Sequence, residues 1–140
     1  MRALGAALAL ALVLALAGCG RREQAPQDGG AHVLLDGERW AGGSLEPEDA
    51  GELRVYIALD GEVLIDLPFS QAHTVTVVQP DGSENVVALT GEAVYMQRAN
   101  CENQDCVDMG EVTPDNLEMR VLGGFIVCLP HRLSVEVRGA

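Results

Sequence analysis

Lysine is absent from this 140-residue chain, and its cationic side chains are nine arginines against 21 Asp and Glu. The formal net charge is -12, so the clusters of positive charge that hold a phosphate backbone are not there. A nucleic-acid partner is therefore disfavoured. Aromatics make up 4% of the sequence, with a single Trp, so a core built on large rings is excluded. No CxxCH run exists for haem attachment, and no glycine-rich loop leads into GK[ST]. Ser44, Ser70, Ser83 and Ser134 lie outside any nucleophile-elbow context. His32, His73 and His131 are far apart and read as structural or exposed. No catalytic residue, cofactor site or assigned metal site follows from these residues, and the chain is read as non-enzymatic.

What the sequence does contain is concentrated at its start. Residues 1–18 hold 15 apolar residues, so the overall 48% hydrophobic content falls to about 43% in the remainder, an ordinary globular figure. Arg2 precedes an apolar run from Ala3 to Leu16. That run is shorter than the roughly 20 residues needed to cross a bilayer, and it reads as a secretion signal. It closes on Leu16-Ala17-Gly18-Cys19. This resembles the lipobox of bacterial lipoproteins, in which small residues admit a signal peptidase and the cysteine becomes the new N-terminus. The expectation is a signal peptide over 1–18 and lipidation at Cys19, with palmitate as a label for it. Two or three acyl chains anchor stably where one does not. Loss of residues 1–18 would take the charge from -12 to -13, so lipid alone would hold the protein to the membrane surface. The location implied is the extracytoplasmic face of the cell envelope.

Residues 19–52 read as a lipidated N-terminus and flexible tether, rich in Pro26, Asp28, Gly29, Gly30, Gly42 and Gly43. Val33-Leu34-Leu35 and Trp40 interrupt it, and Trp40 is expected to cover the flank of the domain. Residues 53–140 read as one β-rich domain. Leu53–Leu59 and Glu62–Asp66 flank Asp60-Gly61, a signal for a type I′ hairpin. His73–Gln79, Glu84–Leu89, Glu92–Gln97, Phe125–Cys128 and Leu133–Val137 continue the strand pattern, and Leu117–Leu122 is expected to add another. Only Asn100–Met109 reads as a short helix or turn, with Asn100 as cap and Gly110 as stop. The fold class expected is all-β, a small sandwich or barrel-like meander.

Cys101, Cys106 and Cys128 remain once Cys19 is assigned to lipid. In an oxidising compartment they can form one disulfide and leave one thiol. On a regular helix Cys101 and Cys106 would stand about 8–9 Å apart, beyond the roughly 7 Å limit for a bridge. Either that segment is a turn or the bridge runs to Cys128; a Cys101–Cys106 bridge across a loop is the preferred reading, with Cys128 as the third domain cysteine. Redox-active thiols are the alternative. A zinc site of Cys101, Cys106, Cys128 and His131 is the weaker one, suggested by the Cys128-Leu129-Pro130-His131 spacing.

Several of these runs together are similar to the NusG domain II family. They include Val55-Tyr56-Ile57, Thr74-Val75-Thr76-Val77, Gly82 to Val87, Gly91 to Met96, Cys101-x4-Cys106-Val107-x2-Gly110 and Ile126-Val127-Cys128-Leu129-Pro130. The resemblance covers about Leu53–Val137 and is most specific at its cysteines. It implies a small β fold that occurs inserted in some transcription factors and, separately, as stand-alone bacterial lipoproteins. The lipobox-like start places this chain with the second group, without RNA-polymerase-binding or KOW modules. Such lipoproteins look like partners of envelope systems for flavin- or quinone-linked electron transfer. The resemblance thus implies an accessory role beside an envelope protein. Two departures stand out: a longer stretch between Gly110 and Phe125, and His131 where an asparagine is expected, so a ligand role for His131 gains no support.

Overall fold

The computed structural model describes residues 29–46 and 50–139. The signal peptide expected over 1–18 and the lipidation site Cys19 lie outside the described residues. The described residues form nine strands and one short helix: β1 His32–Leu35, β2 Glu38–Arg39, β3 Leu53–Leu59, β4 Glu62–Pro68, β5 Ala72–Val78, β6 Glu84–Thr90, β7 Val94–Ala99, α1 Asp105–Asp108, β8 Phe125–Cys128 and β9 Leu133–Gly139. They form two antiparallel sheets, β2-β1-β5-β6-β7 and β4-β3-β9-β8. Both orders end in edge strands, so the all-β reading resolves to two open sheets rather than a closed barrel.

Period-two alternation explains why the sheets face each other. Val55 and Ile57 of β3, Ile65 and Leu67 of β4, and Leu133, Val135 and Val137 of β9 are buried. So are Val75 and Val77 of β5, Val87 and Leu89 of β6, and Val94 and Met96 of β7. Both sets belong to one apolar core, with Val33 of β1 and Ile126 of β8. Aliphatic β-branched residues suit such strands, because they fit a pleated surface buried on one side. Trp40 packs partly buried against this core, as expected for a flank cover.

The hairpin at Asp60-Gly61 forms as the dipeptide predicts, with φ of 51° and 85° at the two positions. The same chemistry recurs at Asp36-Gly37, with φ of 52° and 87°. That second hairpin corrects the tether assignment. Residues 32–39 are two strands of the first sheet, and β1 pairs in register with β5 from His32↔Val78 to Leu35↔Val75. The physical reason is local. Val33 enters the core, and the Asp36 carboxylate accepts the Thr74 backbone N–H at 2.7 Å and meets His73 Nδ1 at 2.7 Å. Burial works against ionisation of Asp36, yet the Thr74 N–H and the His73 ring outweigh it and hold the carboxyl below its ordinary 3.8.

Two further expectations are corrected. Residues 117–122 form turns, not a strand, because backbone bonds such as Met119 N to Asn116 O curl the chain locally. Asn100 does not cap the helix. Its side chain accepts the Glu84 N–H and donates to Gly82 O, both at 2.8 Å, so it ties the end of β7 to the β5–β6 turn. Gln104, in the left-handed region at φ 56°, occupies the cap position instead. Where the 109–124 segment rejoins the sheet, the backbones approach closely. A Cβ at Gly124 would collide with the Val137 carbonyl oxygen, so only glycine fits there.

Candidate functional site

Cys101 leaves the sheet directly after β7, Cys106 sits on α1, and Cys128 ends β8. Each is turned inward by its own local structure. Once Asn100 has fixed the strand end, the Gln104 amide donates to Ala99 O at 2.9 Å and Cys101 O at 2.5 Å, folding the 99–104 loop back on itself. Asp105 opens α1, whose single turn presents Cys106 to the core. Cys128 takes its inward direction from alternation with Ile126 in β8. All three side chains are buried, and their sulfurs lie within 4.8 Å of one another.

The Cys101 and Cys106 sulfurs are 3.7 Å apart. A disulfide bond is about 2.04 Å long, so the pair is in contact as free thiols. The structure therefore brings together the two residues expected to bridge, without a bond, and adds the Cys128 sulfur within 4.8 Å of both. Burial pushes the Cys106 thiol well above its ordinary 9.0, and its contacts with Cys128 and Cys101 push the same way. Such a thiol is a poor nucleophile until a charge partner arrives.

The Cys3His arrangement is corrected. Among the described residues the cluster consists of the three cysteines alone. His131 turns away from it. Arg132, at φ 56°, shapes the β8–β9 turn, and its N–H reaches Leu129 O at 3.1 Å. The His131 ring then meets buried Asn85 of β6, Nδ1 to Oδ1 2.8 Å. Gln79 donates to the His131 carbonyl at 2.9 Å. His131 is thus a structural pin between the two sheets, with its ring engaged by Asn85 rather than by the sulfurs.

An apolar cleft of about 290 Å³ opens beside the sulfurs. Cys106 and Cys128 line it with Met109, Leu122, Val127 and Leu129, while Asn103 and Asp105 supply a polar margin. One side chain organises its outer wall. The Arg120 guanidinium donates to four carbonyls: Met109 O at 3.0 Å, Glu111 O at 2.8 Å, Gly123 O at 3.1 Å and Phe125 O at 3.4 Å. Sequence reasoning had no signal for Arg120, because its partners are backbone groups. Met109 left a fainter trace, three residues beyond Cys106 and so on the same side of a helical turn. The large apolar residues exposed on the described surface gather nearby: Met119, Val121, Leu122, Phe125 and Leu129, with Val63 the remaining one.

Two open antiparallel sheets, a short helix and an inward-facing trio of thiols define a small cysteine-bearing β domain. The NusG domain II family model matches residues 8–140. The chain belongs to the NusG domain II family. Among solved structures, it is similar to the Lin0431 protein from Listeria innocua, at 26% identity and a TM-score of 0.53, over 62% of this chain and 95% of that one. A DUF1312 family protein from Enterococcus faecalis shares the fold at 21% identity and a TM-score of 0.53, over 61% of this chain and 95% of that one. No curated protein matches the chain. The family match begins well before Leu53, in keeping with the N-terminal hairpin as part of the fold.

Proposed function

We propose that this chain is a non-catalytic accessory module, anchored by lipid at Cys19 to the extracytoplasmic side of a bacterial membrane, that binds an envelope protein. The observation carrying the anchor is Leu16-Ala17-Gly18-Cys19 at the close of an apolar run too short to span a bilayer. Supporting the binding role is the exposed apolar wall beside the cleft, where Met119, Val121 and Leu129 are 78%, 101% and 78% exposed. A contiguous apolar surface of this kind costs free energy in water unless a partner covers it. The net charge of -12 turns nucleic acid away and leaves protein as the fitting partner class. The flavin- or quinone-linked systems implied by the family resemblance are where that partner is to be sought.

Metabolic labelling with palmitate tests the anchor. The wild-type chain should carry label and sediment with membranes, and C19A should do neither. Label retained in C19A, or absent from wild type, overturns it. A photo-crosslinking residue at Val121 should capture one defined membrane protein, whereas the same residue at exposed Glu38, on β2 at the opposite edge of the first sheet from β7, should not. Equal capture at both positions refutes the assigned face.

A second reading has its own support. Three sulfurs within 4.8 Å can exchange disulfides, so a thiol-redox accessory role follows if the cluster cycles. It predicts a measurable thiol–disulfide potential and a loss of function in C106S. A C106S chain that folds and supports its partner normally rules that role out.

A further inference from the structure

The thiol cluster has a donor set of one kind. Three sulfurs converge from the end of β7, from α1 and from the end of β8, and no His, Asp or Glu joins them among the described residues. The nearby nitrogen and oxygen donors are engaged elsewhere: His131 Nδ1 with Asn85, and the Asp105 carboxylate with the Asn103 amide at 2.7 Å. We propose that Cys101, Cys106 and Cys128 form a three-coordinate thiolate site for a soft monovalent metal ion, cuprous copper.

Geometry and ligand preference both favour this ion. With metal–sulfur bonds of about 2.3 Å, the sulfurs of a trigonal site stand about 4 Å apart. The Cys101–Cys106 separation of 3.7 Å and the 4.8 Å limit on all three pairs need only a small inward adjustment. Structural zinc takes four ligands, and a fourth protein donor is what the cluster lacks. Soft thiolate and thioether donors select cuprous ion.

An approach route of matching chemistry leads in. Met119 is exposed at the surface and lines a groove together with Met109. Met109 also lines the cleft that reaches Cys106 and Cys128. The order is therefore a weak thioether outside, a second thioether at the cleft, and strong sulfur donors inside. As each sulfur–copper bond forms, that thiol releases its proton to water. Copper enters and leaves as Cu(I), so no electron is transferred. Because each thiol gives up a proton on binding, binding strengthens as pH rises. The site is independent of acylation at Cys19, so the two readings fail separately.

The test uses the full chain carrying C19S, fully reduced under anaerobic conditions, so that only the three domain thiols report. Cu(I) is titrated in competition with bicinchoninate, and Zn(II) in a parallel arm. The expected result is one Cu(I) withdrawn from the chelator per chain, with X-ray absorption showing three sulfur neighbours. C101S and C128S should each weaken binding more than about 100-fold. M119L should leave the equilibrium affinity unchanged and slow copper uptake several-fold. Copper left wholly with the chelator overturns the proposal. So does nitrogen or oxygen in the first coordination shell, or zinc bound more tightly than copper. The absorption spectrum is read on intact domain thiols, so the outcome stands even if a serine variant misfolds.

Discussion

Replacing Arg120 with alanine removes a guanidinium that donates to four backbone carbonyls spread over residues 109–125. A hydrogen bond from a charged donor contributes about 1.5–3 kcal/mol when measured alone. These four cannot simply add. They share one half-buried side chain, water can replace part of the donation, and about 2 kcal/mol of rotamer freedom was lost in fixing the fork. The net loss should be about 2–3 kcal/mol, which for a domain of this size lowers Tm by roughly 10 °C. Arg120→Lys separates geometry from charge. An ammonium keeps the charge but cannot reach four diverging carbonyls, so it should recover less than half of the loss. Guanidinium chloride unfolding of the reduced chain gives the free energies. Amide exchange should speed up first between residues 109 and 125 and leave β3 and β9 protected. An alanine variant within about 0.5 kcal/mol of wild type, or a lysine variant equal to it, would refute the clamp.

Asp36 gives a pH test. Its carboxyl lies below 3.8 in the folded chain, so its stabilising contribution is present above that value and is lost as pH falls through the folded one. D36N keeps a residue that tolerates the left-handed turn, and it should be less stable than wild type near pH 6 and level with it by about pH 2; a gap that does not change with pH removes the argument. Cys106 gives a reactivity test. In the reduced native chain at about pH 8, iodoacetamide should modify it at least 100-fold more slowly than in urea, as read by peptide mass; native alkylation at the unfolded rate contradicts its burial.

Much of the sheet was legible because strand signals are local. Asp60-Gly61 between two alternating runs specified its hairpin with no help from distant residues. Asp36-Gly37 carried the same signal, but its strands are four and two residues long, and glycine-rich segments flank them. Their assignment depended on β5, which lies 40 residues away in the chain, and only the assembled sheet reveals it. Residues 117–122 misled in the opposite sense. Leu117, Met119 and Val121 alternate like a strand, yet Arg120 finds more carbonyls by folding back than a sheet edge would offer it.

The thiol site divides along the same line. The five-residue separation of Cys101 and Cys106 implied that they meet locally, and they do, one just after β7 and the other on the single turn of α1. Cys128 comes from a distant strand, so its arrival depended on the sheet topology. The Cys128-Leu129-Pro130-His131 spacing suggested a ligand pair, and a single left-handed residue, Arg132, shapes the turn that carries His131 across to β6. No count of intervening residues encodes that change of direction.

The Gln79–His131 bond has a directional consequence. Gln79 follows Val78, which pairs with His32 at the very start of β1, and its amide holds the turn next to Leu129 and Pro130 of the cleft. The point where the polypeptide enters the domain and the mouth leading to the sulfurs therefore share one pole of the molecule. Residues 20–31 stretch to about 40 Å at most. With Cys19 acylated, that entry point and the cleft mouth, together with the Asp60-Gly61 turn that bonds to Arg132 at the same end, would lie within that reach of the bilayer surface. A partner embedded in that membrane would then have the cleft mouth within its reach.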